Sequence, residues 1–333
     1  MKTNDNLETE RELTLMQMMT RFSTEESART YFENLLWPNG AVCPHCGNNN
    51  QDRIYKLTAN TSSKVRKGLH KCADCNERFT VTMNTVMEDS HIPLNKWLAA
   101  THLLMASKKG MSAMQVHRML GVSYKSAWFM CHRIRESLRY NEEGPLGGEG
   151  KTVEADETFI GGKEKNKHRN KRLHLGPGGA GKESVFSLVE RDGRARSFHM
   201  ETVSADTLRP ILVTQVKRDS SLMTDNANMM NLAGNEFKSH QTVNHSIGEY
   251  VRGGVHTNTI EGYFSIMKRG ITGVYHHVSA QHLKRYLAEF DYRYNEREAL
   301  GVSDAMRMEK SLKGIVGKRM TYRRPEKRAN KQA

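Results

Sequence analysis

Three carboxylates stand far apart in the chain, each beside an apolar run: Asp156 in TVEADETFIGG, Asp225 in SLMTDNA and Glu261 in HTNTIEGYFSIMK. Acids so placed suit a site assembled from two strands and a helix, where they hold two divalent metals for phosphoryl chemistry. Mg²⁺ and Mn²⁺ prefer hard oxygen ligands, so carboxylates are the residue type this chemistry requires. Alternation along a strand puts Glu154 on the face of Asp156 and turns Glu157 to the other. Asp219, ahead of its apolar run, reads as a turn residue. Asn258, Glu261 and Lys268 fall roughly on one face of a helix, with Lys268 two turns below the acid and placed to hold a phosphate. The competing reading of Lys268 and Arg269 is an exposed helix end. An Asp at a strand end is, taken alone, more often a solvated turn former.

A second set of residues points to a different metal. Cys43-Pro-His-Cys46 and Cys72-Ala-Asp-Cys75 are two C-x-x-C pairs with twenty-five residues between them. Each pair makes a tight knuckle that delivers two thiolates to one tetrahedral Zn²⁺, and Gly47 suits the knuckle turn. His45 and His70 stand close enough in sequence to replace a cysteine as ligand. A redox role needs one C-x-x-C in a thioredoxin-like setting, which is not the pattern here. Cys131, between Met130 and His132, reads as a small buried apolar residue. Gly176-Pro-Gly-Gly-Ala-Gly-Lys182 has the outline of a nucleotide phosphate loop, but Glu183 stands where the Mg²⁺-binding Ser or Thr is needed. Residues 163–182 read better as a mobile basic loop tracking phosphates, against the alternative of a solvated charge run.

Composition limits the partners. The 333 residues carry a net charge of +14, which favours a polyanion. No run of about 20 apolar residues is present, so a membrane span is not expected. The first 25 residues lack a signal-peptide core, which predicts a cytoplasmic protein.

The elements follow from periodicity. Residues 1–38 read as helical, with Ser23 placed to cap a helix that ends at Trp37-Pro38. Residues 39–92 hold the cysteine knuckles as a zinc ribbon. From 93 to 140 the spacing is helical, and MSAMQVHRML, the Gly121-Val122-Ser123 turn and YKSAWFMCHRIRESL together read as a helix–turn–helix. Met114, Val116, Met119, Leu120, Val122, Ala127, Trp128 and Ile134 are its expected core. Tyr124, Lys125 and Ser126 open the second helix, the place from which such motifs contact DNA. An ordinary helical hairpin remains the plainer alternative. Residues 141–150 are a turn-rich linker. Strands at TVEADETFI, SVFSLVERDG, RARSFHMETV and SSLMTDN, alternating with helices at DTLRPILVTQV, TNTIEGYFSIMKRG and SAQHLKRYLAEFDYRYNER, predict an α/β domain with a mixed sheet over 151–300. Residues 301–333 read as a basic C-terminal tail, and the part from Lys313 onward, with eight Lys or Arg against one Glu, is expected to be disordered.

The order of zinc ribbon, helix–turn–helix, VEADETFIGG and then HTNTIEGYFSIMKRGITGVYHHVSAQHLKRYLAEFDYRYNER resembles the DDE-type insertion-sequence transposases of the ISXO-like group. The resemblance covers roughly residues 20–300 and is most specific over 256–297. It implies an RNase H-like core whose three acids hold two Mg²⁺ or Mn²⁺, with Asp156 first and Asp225 second. The third position is filled in the family by an acid or an asparagine, and this chain offers both Glu261 and Asn258. A charged oxygen favours Glu261, whose spacing to Asp225 and Lys268 also matches the general DDE pattern. His256, Tyr275, His276 and His277 match the family's pattern around that acid.

The resemblance further implies a nucleoid-associated prokaryotic enzyme. It would bind the terminal inverted repeats of a mobile element, cleave there, and join the 3′ ends to target DNA as a dimer or larger assembly. A non-catalytic DNA-binding regulator and an RNase H-like nuclease that cuts without joining are the alternatives.

Overall fold

A computed structural model of the chain describes residues 14–58, 67–139, 144–162, 168–171, 181–225 and 234–320. These divide into two compact units. The first takes the described residues of Met1–Ser107, Ala113–Leu138 and Ser303–Ala333; the second takes those of Lys108–Ser112 and Arg139–Val302. Among the described residues no helix is long and apolar enough to cross a membrane.

The first unit begins with helices α1 (Leu15–Arg21) and α2 (Glu25–Leu36). The cap of α2 is Thr24, whose hydroxyl accepts from the Ser27 N–H, one residue later than the expected Ser23. Both residue types can cap, so sequence alone does not separate neighbours. Strands β1 (Ile54–Lys56), β2 (His70–Cys72) and β3 (Arg78–Phe79) form a small antiparallel sheet. Its core is Ala41, Cys43, Ile54, Cys72 and Phe79, with Trp37 packed alongside.

Helix α3 (Leu94–Ala106) buries Leu94 and every residue from Trp97 to Met105, as a helix surrounded on all sides must. Helices α4 (Ala113–Leu120) and α5 (Tyr124–Ser137) follow, joined by a turn over 121–123. Ser123 caps α5 by accepting from the Ser126 N–H. Val116, Ala127 and Ile134 are buried as expected, but Met114 and Met119 are 49% and 52% exposed. Met114 precedes Val116 by two residues, about 200° around a helix, and so faces away from it.

The expected basic tail opens instead as helix α9 (Asp304–Lys313), capped by Ser303 and packed in the first unit. Arg307 donates to the Met105 carbonyl at 2.9 Å, and Met308, Leu312 and Ile315 are buried. Val316 bridges Thr85, Lys318 donates to the Ser137 carbonyl at 2.8 Å, and Arg319 pairs with Asp89 at 2.7 Å. Residues 313–320 are thus ordered by a few apolar anchors and backbone acceptors that a charge count does not register; 321–333 lie outside the described residues.

Ending the chain at Val302 would uncover the faces that Met308, Leu312 and Ile315 occupy, removing about 5–8 kcal/mol of apolar burial. The melting transition of the first unit should then fall by about 10–20 °C in circular dichroism, and an unchanged transition would contradict this packing.

The second unit is built on a five-stranded sheet of β4 (Thr152–Ile160), β5 (Glu183–Glu190), β6 (Ala195–Met200), β7 (Ser221–Asp225) and β8 (Ser239–Val243), in the order β6-β5-β4-β7-β8. β5 runs antiparallel to β4 and β6, while β7 and β8 run parallel to β4. Alternation sends Val153 and Ala155 of β4 to one face, where they pack with Leu208 and Leu212 of α6 (Ala205–Gln215). The other face carries Ile160, Val185 and Val189. They pack on Ile260, Tyr263, Phe264 and Met267 of α7 (Asn258–Gly270) and on Leu283, Leu287 and Phe290 of α8 (Ala280–Asn295).

A buried polar network fixes the two helices. The Tyr263 hydroxyl donates to Asp291 at 2.5 Å, and Asp291 accepts the Ser197 N–H at 2.9 Å. A hairpin of β9 (Val251–Arg252) and β10 (Val255–His256) precedes α7, turning through Gly253 at φ +61°. Leu146, in the stretch read as linker, is buried and bridges Val216. Most of 163–182, including 176–180 of the glycine-rich run, lies outside the described residues.

Candidate active site and zinc centre

The four cysteine sulfurs of the ribbon converge, each offering an atom within 4.8 Å of the others. The Cys43 and Cys75 sulfurs lie 3.6 Å apart, and those of Cys46 and Cys72 lie 3.7 Å apart. The first knuckle closes through the Gly47 N–H, which donates to the Cys43 carbonyl at 2.9 Å with Gly47 at φ +77°. The backbone N–H of Cys75 and the Asn48 side chain aim at the Cys72 sulfur and lower its thiol to about 6. At Cys75 the backbone N–H of Glu77 acts in the lowering direction, but burial and the three neighbouring sulfurs prevail and push the thiol up to about 12. Four crowded thiols with donors turned toward them are a donor set for one tetrahedral Zn²⁺. His70 is not part of the cluster. Its ring stacks on Phe79 with centroids 5.5 Å apart and meets Trp37 edge-on, as a core residue of β2.

The carboxylates gather in the second unit. The register of β4 against β7 runs to Ala155 and Thr224, so Asp156, the fifth of the nine residues of β4, and Asp225, the last of β7, come next in line. The carboxyl end of a parallel strand such as β7 is where sheets of this kind present functional groups. Asp156, Glu157 and Asp225 each place a carboxylate oxygen within 4.8 Å of the others. Glu157 therefore does not stay apart as alternation predicted. The longer glutamate side chain reaches the carboxylates of Asp156 and Asp225.

The Asp156 Oδ1 accepts the Glu157 N–H at 2.8 Å. Burial first, then the charges of Asp225 and Glu157, push the Asp156 carboxyl up to about 8. Glu157 is raised for the same first cause and by Asp225, and its Oε2 is buried with no hydrogen-bond partner among the described residues. Crowded oxygens that resist ionisation beside one another fit a hard divalent cation, which would compensate their charge.

Glu261 stands on the first turns of α7, next to this trio but outside its 4.8 Å group. Its charge is among those raising Asp156. Its carboxylate accepts the Thr257 hydroxyl at 3.2 Å and lies 3.6 Å from His245 Nε2, and its side chain is 45% exposed. Asn258 is exposed at the first position of the same helix. Lys268 and Arg269 are exposed on the last turn. The Lys268 ammonium lies 5.8 Å from the Phe264 ring centroid, and Arg269 bonds the Ser265 hydroxyl at 2.8 Å. After them the helix widens into a π-turn (Ile271–Tyr275) and ends in a tight turn at His276, φ +60° and ψ −49°, closed by the His277 N–H on the Tyr275 carbonyl. The Tyr275 hydroxyl is engaged with Glu289 at 2.8 Å.

In the first unit, Tyr124 and Lys125 are exposed on the opening turn of α5, while the Ser126 hydroxyl is engaged with its cap partner Ser123. Sequence reasoning turned Glu157 away from the site and passed over His245 and Arg191. Only Glu157 carried a usable signal, through its position next to Asp156.

A mixed sheet in this order, with its first strand central and acids brought together on the adjoining strands β4 and β7, defines a core of the RNase H-like class. Residues 145–295 match the family model for the ISXO2-like transposase domain, and residues 23–78 match that for the transposase zinc-ribbon domain. With both domains present in that order, the chain belongs to the ISXO2-like transposase family. It is 26% identical over 297 residues to an uncharacterized protein in transposable element ISH50 of Halobacterium salinarum, covering 84% of this chain and 93% of that one.

Proposed function

We propose that the protein is a DDE-type transposase that binds the terminal inverted repeats of its element, cleaves the ends and joins the 3′ ends to target DNA. The observation that supports this most is the approach of the Asp156 and Asp225 carboxylates on the adjoining strands β4 and β7. Asp156 and Asp225 are the first two metal ligands in this reading, with Glu261 the third and Asn258 assisting or orienting DNA. Two divalent ions held by these residues would supply activation of the nucleophile and stabilisation of the leaving oxygen. Lys268 and Arg269, exposed on the far turn of α7, hold a DNA phosphate. Tyr124, Lys125 and Ser126 contact the inverted repeats as the start of a recognition helix. Two element ends have to be held together, which calls for a dimer or larger assembly on DNA, acting in the cytoplasm at the nucleoid.

Labelled element-end DNA with Mg²⁺ tests the reading, with Asp156→Ala as the comparison. Joined products from the wild type that vanish in the variant support a transposase. Cleavage without joining points to a nuclease, and specific binding without cleavage points to a regulator.

The pH dependence is also set by Asp156. Its carboxyl lies at about 8 in the fold against 3.8 ordinarily, so without metal it is protonated through the neutral range. A cation needs the carboxylate, so Mn²⁺ affinity should weaken about tenfold for each unit the pH falls below 8. Calorimetry in buffers of different ionisation enthalpy should show about one proton released per site. The linkage has the opposite sign for the metal-free fold. Between about 4 and about 8 the folded chain binds more protons than the unfolded one, so its stability falls as the pH rises.

A further inference from the structure

Helix α7 starts without help from its own cap. Thr257 adopts φ −117° and ψ 20°, and its side chain accepts no first-turn N–H. The acceptor comes from the sheet instead. The Glu154 carboxylate, 0% exposed, accepts the Ile260 N–H at 2.9 Å and the Thr259 hydroxyl at 2.9 Å. It also accepts Arg191 Nε at 2.7 Å, and His256 Nδ1 lies 3.4 Å away. Arg191 donates in turn to the carbonyls of Gly254 and His256, at 2.9 and 2.8 Å. One side chain therefore joins β4, the β9–β10 hairpin and the first turn of α7.

A charge buried this deeply is tolerated only with such partners, and a carboxylate at a helix N-terminus is further favoured by the helix dipole. A serine cap would start the helix more simply. The acid does something a local cap cannot: it ties the helix to a particular residue of β4. Glu154 is two residues from Asp156 on the same face, and Ile260 adjoins Glu261. We propose that Glu154 is a positioning residue, clamping the first turn of α7 to β4 and so setting the separation between Asp156 and Glu261. This rests on reading those acids as metal ligands.

Calorimetric titration of the full chain with Mn²⁺ tests it. Glu154→Gln keeps the side-chain shape and removes the charge. Affinity should fall about 10–100-fold with the fold retained in circular dichroism. In a Glu261→Ala background the same substitution should cause no further loss, because the residue acts through Glu261. A folded Glu154→Gln protein with wild-type affinity overturns the proposal. So does a loss that persists undiminished without Glu261, which is what a merely structural role gives. If Glu154→Gln fails to fold, Thr259→Val removes one bond alone and should weaken binding about threefold, under the same cycle. A wild type with no Asp156-dependent Mn²⁺ binding overturns the metal reading and the clamp with it. Asp156-dependent binding that ignores Glu154 and Thr259 removes the clamp only.

Discussion

Asp156→Asn should reduce metal-dependent cleavage of element-end DNA by about a thousandfold or more, while leaving DNA binding intact. The amide keeps the side-chain volume and still accepts the Glu157 N–H, so the strand has no reason to rearrange. What is lost is the charged oxygen that the cation requires. Metal stabilisation of developing charge amounts to several kcal/mol, and each 1.36 kcal/mol is tenfold in rate, which places the loss at about three orders of magnitude. Asp225→Asn should behave alike, because its carboxylate belongs to the same group. Glu261→Gln and Asn258→Ala then separate the candidates for the third position. With Glu261 as ligand, the glutamine variant falls with the two aspartates and the Asn258 variant loses about tenfold or less. Single-turnover cleavage with bound DNA reads this directly. An Asp156→Asn protein that cleaves at the wild-type rate would overturn the site.

Loss of zinc should unfold the ribbon and leave the sheet unit standing. The ribbon's strands have three, three and two residues, and its core is five residues, of which Cys43 and Cys72 are themselves ligands. So small a core cannot offset the entropy of ordering its loops, whereas structural zinc contributes on the order of 10 kcal/mol or more. Cys72→Ser, or a strong chelator, should remove about one zinc per chain by elemental analysis. The environment of Trp37 should change in fluorescence, since its ring packs on Phe79 with centroids 5.8 Å apart. Binding to element-end DNA should drop with it. The second unit has its own apolar clusters on both sheet faces and should keep its melting transition. Retention of the Trp37 spectrum after chelation would contradict a structural role for the metal.

Much of this architecture is legible in the residues, and the misses have physical causes. Two C-x-x-C knuckles are a covalent pattern with few geometric solutions, so the four-sulfur cluster follows from spacing. Strand β4 could be read because its apolar residues alternate, and the same alternation placed Glu154 on the face of Asp156. Strand β8, SHQTV, gave no signal: it is a short edge strand with one fully buried residue. Glu157 was misplaced because alternation fixes Cβ directions while a glutamate spans several bonds beyond. Helix α9 was hidden by charge. Its Arg307 and Lys310 sit beside Met308 and Leu312, and composition averages over that contrast. Glu154 was visible as an acid but not as a clamp, since Arg191 and Ile260 reach it only through the fold.

The return of residues 303–320 to the first unit puts the order of synthesis at odds with the order of assembly. At about 5–20 residues per second, the roughly 200 residues between α3 and α9 occupy the ribosome for about 10–40 s. All of the sheet unit emerges in that interval. Helix α3 waits throughout for the helix that covers it, with the Met105 carbonyl still lacking its Arg307 partner. The ribbon and its neighbouring helices are thus the first residues made and the last to be completed. A chain that stops early at Val302 carries a whole sheet unit but an unfinished first unit.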